Sequence, residues 1–431
     1  LQTLKTPTGA QRPATDGEAV AKVVDDIVSA VAADGDDAVR RFSARFDSWE
    51  PRSFRLSADE IAASLERVPD QVLDDIRFSQ EQVRSFARAQ RETMIDLEVE
   101  TLPGIRLGHR HIPLANVGAY IPGGRYPMVA SAHMSIVTAK VAGVERVAAC
   151  TPPLEGRVPD ATVAAMHLAG ADEIYILGGV QALAALALGT ETIDPVDFLV
   201  GPGNAYVVEA KRRLFGKVGI DLVAGPTEIL VVADDTADAM VVAADLLGQA
   251  EHGPASAAVL ITTSEALAEE TLRQIAVQLE DLPTADIAAQ AWEDYGEVVV
   301  VASDDEALKL ADAYAFEHVE IQTADPRWYL ERMRNYGALF LGEGTTVAYG
   351  DKTIGTNHIL PTGGAARYTG GLWVGKFLKT VTFQECDESA SVKIGEICAR
   401  QCRIENFEGH ARSCDVRVEK YSQTVLTKAA G

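Results

Sequence analysis

Val117-Gly118-Ala119-Tyr120-Ile121-Pro122-Gly123-Gly124 decides how this chain is read: a short apolar run stops abruptly at a proline and two glycines. The same form recurs downstream. Val147–Cys150 runs into Thr151-Pro152-Pro153, Ile174–Leu177 into Gly178-Gly179, and Phe198–Val200 into Gly201-Pro202-Gly203-Asn204. Short apolar runs bounded by turn residues fit strands buried on both faces. Helical stretches such as Gln181–Leu188 and Ala205–Phe215 follow most of them. Strands alternating with helices imply βαβ units and a parallel sheet. In such a sheet ligands bind beyond the carboxyl ends of the strands, so these glycine turns should gather at one rim. Their small residues would let a dinucleotide approach the backbone, although none carries the GxGxxG fingerprint.

A second set of strands follows at Leu222–Val223, Ile229–Val232, Ala257–Ile261, Val298–Val301, Val319–Ile321 and Ala338–Leu341. Helical stretches such as Ala237–Ala250 and Glu306–Tyr314 separate them. Upstream, Val20–Ala33, Ala58–Val68 and Gln71–Glu92 carry apolar residues at helical spacing, and Leu97–Pro113 is more strand-like. From about Phe377 the chain reads as polar and helical, over Ser391–Arg403 and Ile404–Arg412, with too few apolar residues for a core of its own. The expected fold class is α/β, with two incomplete Rossmann-like parallel-sheet domains. The expected divisions are a helical N-terminal region over 1–115 that packs with the second α/β domain, a first, nucleotide-binding α/β domain over 116–225, a second over 226–375, and a helical segment over 376–431.

The 431 residues suffice for two or more domains. No run approaches the roughly 18 apolar residues of a membrane helix, and no secretory signal pattern is present. A net charge of −24 argues against nucleic acid or an anionic membrane as partner. The five cysteines (Cys150, Cys386, Cys398, Cys402, Cys414) are odd in number and form no CxxC, which suits neither a disulfide framework nor a Cys-rich zinc site. Cys398 and Cys402, one helical turn apart, read as reduced and packed. A cytoplasmic enzyme is the simplest expectation.

Four segments carry candidate chemistry. In Asp245-Leu246-Leu247-Gly248-Gln249-Ala250-Glu251-His252-Gly253-Pro254 a helix ends at Gly253 and Pro254, with Gln249 and His252 on one face. An amide oxygen beside an imidazole is half of an N/O site of the kind zinc accepts, and the same residues would also serve as a solvated helix end. In Tyr314-Ala315-Phe316-Glu317-His318-Val319-Glu320 a helix passes into a strand, and Glu317 with His318 offers two proton-transfer groups of different pKa. The turn-rich segment Gly350–Thr362 carries Asp351, a carboxylate that would make a third ligand, and His358. His410, in Glu408-Gly409-His410-Ala411-Arg412, would make a fourth; spacing alone does not bring these residues together.

Across nearly its whole length the chain resembles the histidinol dehydrogenase family. The matching blocks are Tyr120-Ile121-Pro122-Gly123-Gly124-Arg125, Gly201-Pro202-Gly203-Asn204-Ala205-Tyr206, Ala224-Gly225-Pro226-Thr227-Glu228, Gln249-Ala250-Glu251-His252-Gly253, Glu317-His318 and the Asp351–Thr362 segment. The resemblance implies oxidation of a primary alcohol to a carboxylate by two hydride transfers to NAD, with one zinc ion per subunit holding the substrate. It implies that Gln249, His252, Asp351 and His410 ligate zinc, that His318 takes the alcohol proton, and that Glu317 activates water on the bound aldehyde. Tyr120, Gln181 and Asn204 match cofactor-contact positions; Thr227, His358 and Glu405 match substrate-contact positions, beside the metal ligands and His318. The family forms homodimers whose C-terminal segment crosses to the neighbour, so 376–431 would be exchanged and His410 donated across the interface, completing a shared active site.

The chain departs from enzymes of histidine biosynthesis at Tyr126-Pro127-Met128-Val129-Ala130-Ser131-Ala132-His133-Met134-Ser135, at Lys352 after Asp351, at Tyr368–Val374 and at Glu408–Arg412. There it looks more like the paralogous branch containing sulfopropanediol dehydrogenase, which oxidises dihydroxypropanesulfonate to sulfolactate. A pocket bearing the cation Lys352, with His133 or Arg367 nearby, would suit a small anionic diol. L-histidinol is the alternative substrate, and a catalytically silent ligand-binding homologue is a third reading.

Overall fold

The computed structural model describes residues 1–9, 17–123 and 127–429; the motif positions Gly124, Arg125 and Tyr126 lie outside the described residues. In chain order come β1 (Gln2–Lys5), helices Gly17–Asp47, Ala58–Arg67 and Asp70–Glu92, and the hairpin β2 (Leu97–Leu102) and β3 (Ile105–Pro113). The first helix breaks at Gly35, whose φ of 53° only glycine adopts readily. Next are β4 (Asn116–Tyr120), β5 (Arg146–Thr151), β6 (Glu173–Ile176), β7 (Phe198–Val200) and β8 (Gly219–Ile220), with helices between most of them. Then come β9 (Glu228–Ala233), helix Ala239–Ala250, β10 (Ala257–Thr262), β11 (Gly296–Val300), helix Asp304–Tyr314, β12 (His318–Gln322), β13 (Ala338–Leu341) and helix Val347–Lys352. The chain ends in β14 (Leu378–Cys386) and helices Glu388–Ile404 and Glu408–Ala429.

These elements form two compact units. The first, residues 1–90 and 114–377, contains two sheets. One is all parallel, in the order β6-β5-β4-β7-β8. The other runs β1-β11-β10-β9-β12-β13, with β1 antiparallel and the rest parallel. β4 and β9 lie centrally and later strands add on either side, so each sheet has a topological switch point. Every residue of β9 and β10 is buried, as expected of parallel strands covered on both faces. The helices Gly17–Asp47, Gly179–Leu188 and Ala205–Leu214 share one core with the first sheet. Two further cores cover the two faces of the second sheet. The expected α/β class with two parallel sheets is the observed architecture.

Leu222–Val223 does not form the expected strand; the ladder ends at Ile220. Asp221 turns the chain out of it, because its carboxylate accepts the backbone N–H groups of Leu222 at 2.7 Å and Gly201 at 2.9 Å.

The second unit, residues 91–113 and 378 onward, is a three-stranded antiparallel sheet, β14-β3-β2, with a helical hairpin. The expected purely helical tail is corrected here. Leu378–Cys386 pairs along β3 over its whole length because Thr380, Val381, Thr382 and Phe383 are β-branched or aromatic and lack helical periodicity. The second tail helix starts at Glu408 rather than Ile404, since Asn406 turns the chain with a φ of 60°. Among the described residues no helix is long and apolar enough to cross a membrane.

Candidate active site

Two neighbouring strands of the second sheet begin with polar residues. β9 opens at Glu228 and β12 at His318, paired so that His318 faces Ile229. Thr227 and Glu317 precede them, so all four crowd the amino-terminal edge of the sheet. Helix Ala239–Ala250 returns from the carboxyl end of β9 to this edge and delivers Gln249, with His252 just past the helix end. Asp351 comes from the last turn of helix Val347–Lys352 rather than from a loop. Open parallel sheets usually bind ligands at the opposite edge; here the returning helix brings the chemistry to the start of the strands.

Each side chain is held. Thr227 Oγ1 donates to Glu317 Oε2 at 2.5 Å and accepts from Gln249 Nε2. Glu317 Oε2 also accepts the Glu228 N–H at 3.2 Å and lies 3.4 Å from His318 Nδ1. His318 Nδ1 lies 3.2 Å from the carbonyl oxygen of Glu228. A carbonyl only accepts, so Nδ1 bears the proton and Nε2 is the atom presented to the site. His252 repeats this arrangement, with Nδ1 3.2 Å from the Gly248 carbonyl oxygen. His358 Nδ1 lies 2.9 Å from the Asp351 carbonyl oxygen, and its Nε2 3.1 Å from Ser131 Oγ.

The Asp351 carboxylate stands between two imidazoles. Its Oδ1 is 3.7 Å from His318 Nε2 and its Oδ2 is 4.0 Å from His252 Nε2. Both distances exceed a hydrogen bond, and His318 Nε2 is a buried nitrogen with no hydrogen-bond partner. Burial disfavours a charged ring at His318, but Glu317 and Asp351 outweigh it and push its pKa up to about 10. Burial likewise opposes ionisation of Asp351, yet His318, His358 and Lys352 hold it down to about 2. The ionised Asp351 carboxylate, His252 Nε2 and the Gln249 amide form an N/O donor set that zinc accepts, with His318 beside it. A field that favours positive charge on His318 also favours a cation beside it. The residues present fit the metal.

Beneath the cluster lies a polar layer that the sequence reading missed. His318, Glu320 and Gln322 alternate on one face of the buried strand β12, and that period-two polar pattern in an otherwise apolar strand was the available signal. Gln322 Nε2 donates to Asp245 at 2.8 Å and to Glu320 at 3.0 Å. Glu320 also accepts the Val347 N–H at 2.9 Å, and Asp245 accepts the Thr346 hydroxyl at 2.9 Å. Burial, and then the nearby Asp245 carboxylate, raise Glu320 well above the usual carboxylate range. These acids anchor the start of the helix whose last turn carries Asp351.

The glycine turns do gather at the carboxyl rim of the first sheet. Tyr120, Cys150 and Tyr175 are in register across β4, β5 and β6. Gly123 and Gly178 both press on Pro152, where a Cβ would come within 2.8 Å and 2.5 Å of its ring. Gly201, at a φ of 129°, lies so close to the Tyr120 carbonyl that no side chain fits. Tyr120 Oη accepts the Gly179 N–H at 3.3 Å, and Gln181 is held by Asp47 at 3.2 Å. Asn204 caps helix Ala205–Leu214 by accepting the N–H groups of Tyr206 and Val207. Small-residue turns with a helix N-terminus beside them have the backbone character that suits a dinucleotide phosphate.

The first unit thus assembles Thr227, Gln249, His252, Glu317, His318, Asp351 and His358. Glu405 and His410 belong to the second unit, Glu405 at the end of helix Glu388–Ile404 and His410 in the first turn of the next. The expected cation Lys352 acts on Asp351 and His358. Arg367 spends its guanidinium on the carbonyls of Gly364 and Ala313. His133 adds no second cation, because burial foremost, with His358 and Lys352 nearby, lowers it to about 4.

A family model described as histidinol dehydrogenase matches residues 10–418. A histidinol dehydrogenase homolog of Shouchella clausii is 60% identical over 404 residues, covering 94% of this chain and 95% of the relative. The sulfopropanediol 3-dehydrogenase of Ruegeria pomeroyi is 47% identical over 410 residues, covering 94% of each. The crystal structure of histidinol dehydrogenase from Elizabethkingia anophelis superposes with a TM-score of 0.89 at 33% identity, covering 95% of this chain and 97% of that one. The two-sheet architecture and the clustered site residues have their explanation in this ancestry: the chain belongs to the histidinol dehydrogenase family.

Proposed function

We propose that this chain is an NAD- and zinc-dependent dehydrogenase that oxidises a small polar primary alcohol to its carboxylate through a retained aldehyde. The observation that carries the reading is the Asp351 carboxylate set between His252 and His318 Nε2, with Glu317 behind His318. Gln249, His252 and Asp351 would hold zinc, with His410 contributed by a neighbouring copy of the chain. When bound, zinc supplies Lewis-acid polarisation of the alcohol oxygen and offsets the charge of Asp351, while NAD supplies the two-electron acceptor. Tyr120, Gln181 and Asn204 would line the cofactor crevice.

With the Asp351 charge offset in this way, His318 would take the alcohol proton at Nε2, while the Glu228 carbonyl keeps the ring's other proton on Nδ1. Glu317, anchored by Thr227 and the Glu228 N–H, then takes a proton from the water that adds to the aldehyde. In total one alcohol, two NAD and one water give one carboxylate, two NADH and three protons. Retaining the aldehyde prevents its escape between the steps. Thr227, His358 and Glu405 would contact the substrate.

Lys352 beside Asp351 and His358 supports an anionic substrate, and the Ruegeria pomeroyi relative is named for a sulfonated diol. L-histidinol is the second reading, favoured by the 33% identical structure of a histidinol dehydrogenase. A silent binder would have no need of Glu317 and His318 side by side. NADH production with 2,3-dihydroxypropane-1-sulfonate and with L-histidinol separates these readings. Faster turnover of the sulfonate is expected; a higher kcat/KM on histidinol would overturn the substrate assignment, and inertness on both with bound zinc and NAD would favour the binder.

A further inference from the structure

Three of the five cysteines meet at one point of the second unit. Cys398 and Cys402 lie one turn apart on helix Glu388–Ile404, with their sulfurs 3.8 Å apart. Cys414 reaches them from helix Glu408–Ala429, and the three sulfurs all lie within 4.8 Å of one another. No disulfide joins them. The helices approach closely here because Gly395, Ala399 and Ala411 are small and buried; a Cβ on Gly395 would come within 2.7 Å of Val418. Arg403, next to Cys402, binds Asp415, next to Cys414, at 2.5 Å and Glu408 at 3.3 Å, which ties the two helices together beside the thiols. All three cysteines are half-buried, so an ion could reach them from solvent.

From this convergence we infer that Cys398, Cys402 and Cys414 form a second metal site, for one thiophilic closed-shell cation of the Zn2+, Cd2+ or Cu+ class. Sulfurs each about 2.3 Å from a common ion in tetrahedral array lie about 3.8 Å apart, the separation already present between Cys398 and Cys402. Soft thiolates select such ions over Mg2+ or Ca2+. Binding releases three thiol protons to solvent and leaves one position for water. The ion would cross-link the two helices, and Cys414 follows His410 by one turn on the same helix. The site is independent of the proposed catalytic zinc, whose ligands include no sulfur.

The test uses reduced full-length protein titrated with Cd2+. A thiolate-to-metal charge-transfer band should saturate at one ion per chain, and only a sulfur site produces it. Alkylation followed by peptide mapping should show Cys398, Cys402 and Cys414 protected by Cd2+ and by Zn2+, with exposed Cys386 still reactive. Cys398→Ser, Cys402→Ser and Cys414→Ser should each weaken the ion at least tenfold, while Cys386→Ser leaves it unchanged. The protection pattern is read on unaltered protein, so a variant that fails to fold leaves the test intact. Absence of the band in fully reduced protein, or equal alkylation of all three cysteines with and without ion, overturns the site.

Discussion

Asp351 faces His318 across 3.7 Å without a hydrogen bond, and the imidazole nitrogen on that side has no partner. Glu317 and Asp351 favour the protonated ring here, and a cation that neutralised Asp351 would weaken that effect and free Nε2 to accept a substrate proton; the proposed chemistry turns on this.

Replacing His318 by Ala should therefore lower kcat by about 10²–10⁴-fold, the usual contribution of a positioned base. Zinc per chain, measured by elemental analysis, should not change, because His318 is not among the proposed ligands. Normal turnover in this variant would remove His318 from the reaction.

Asp351→Ala should reduce zinc occupancy and activity together. Its carboxylate is the one anionic donor between His252 and His318. Full metal loading with a near-normal rate would exclude it from the site.

Glu320 tests how that carboxylate is held. Burial and Asp245 push its pKa up and so disfavour its charged form, and Glu320→Gln, which keeps the Val347 contact without a charge, should cost little. Glu320→Ala leaves the Val347 N–H and Gln322 without that partner, at about 1–3 kcal/mol of stability. It should also weaken zinc binding by loosening the helix that ends in Asp351. Equal zinc affinity in the two variants, by competition with a chelating dye, would contradict this role.

Lys211 and Asp221 form a salt bridge, with side chains 3% and 0% exposed, beneath the Gly201 turn. Lys211 Nζ donates to the Gly201 carbonyl at 2.9 Å, and Asp221 accepts the Gly201 N–H. Lys211→Met strands a buried carboxylate and should destabilise the protein by about 3–5 kcal/mol in urea unfolding. It should also raise the KM for NAD more than it lowers kcat; an unchanged KM would show that the turn does not contact the cofactor.

His133 supplies a pH dependence. Its Nδ1 accepts from Gln80 Nε2 at 3.2 Å, so a proton on that nitrogen would meet a donor inside the core. With its pKa lowered to about 4 in the fold, against about 6.5 unfolded, its contribution is complete above pH 6.5. That contribution is lost as pH falls from about 6.5 to about 4, by roughly 3 kcal/mol. The stability gap between the native protein and His133→Gln should narrow over this window; a constant gap would show that His133 stays protonated in the fold.

Much of the fold was legible because local rules suffice for it. Apolar runs cut off at Pro122-Gly123, Gly178-Gly179 and Gly201-Pro202 announced parallel strands, and those strands are present in the expected sheets. The rule failed at Leu222, where a side chain from Asp221 captures the backbone, and at Leu378–Cys386, where a polar strand is stabilised by its partner β3 rather than by its own pattern. Neither event leaves a periodic trace.

The linear chain determined which side chains are candidates for the chemistry: the Gln249 amide, four imidazoles (His252, His318, His358 and His410) and the carboxylates of Glu317 and Asp351 stand in recognisable blocks. Their meeting place was settled only by folding. Helix Ala239–Ala250 must run back along the sheet for Gln249 to reach Thr227 and His318, across 22 and 69 positions of sequence. The thiol triangle has the same origin, since Cys414 joins Cys398 and Cys402 through the packing of two helices. Residue type and spacing act locally, whereas distance between remote side chains is set by sheet register and helix packing, which no short stretch of sequence contains.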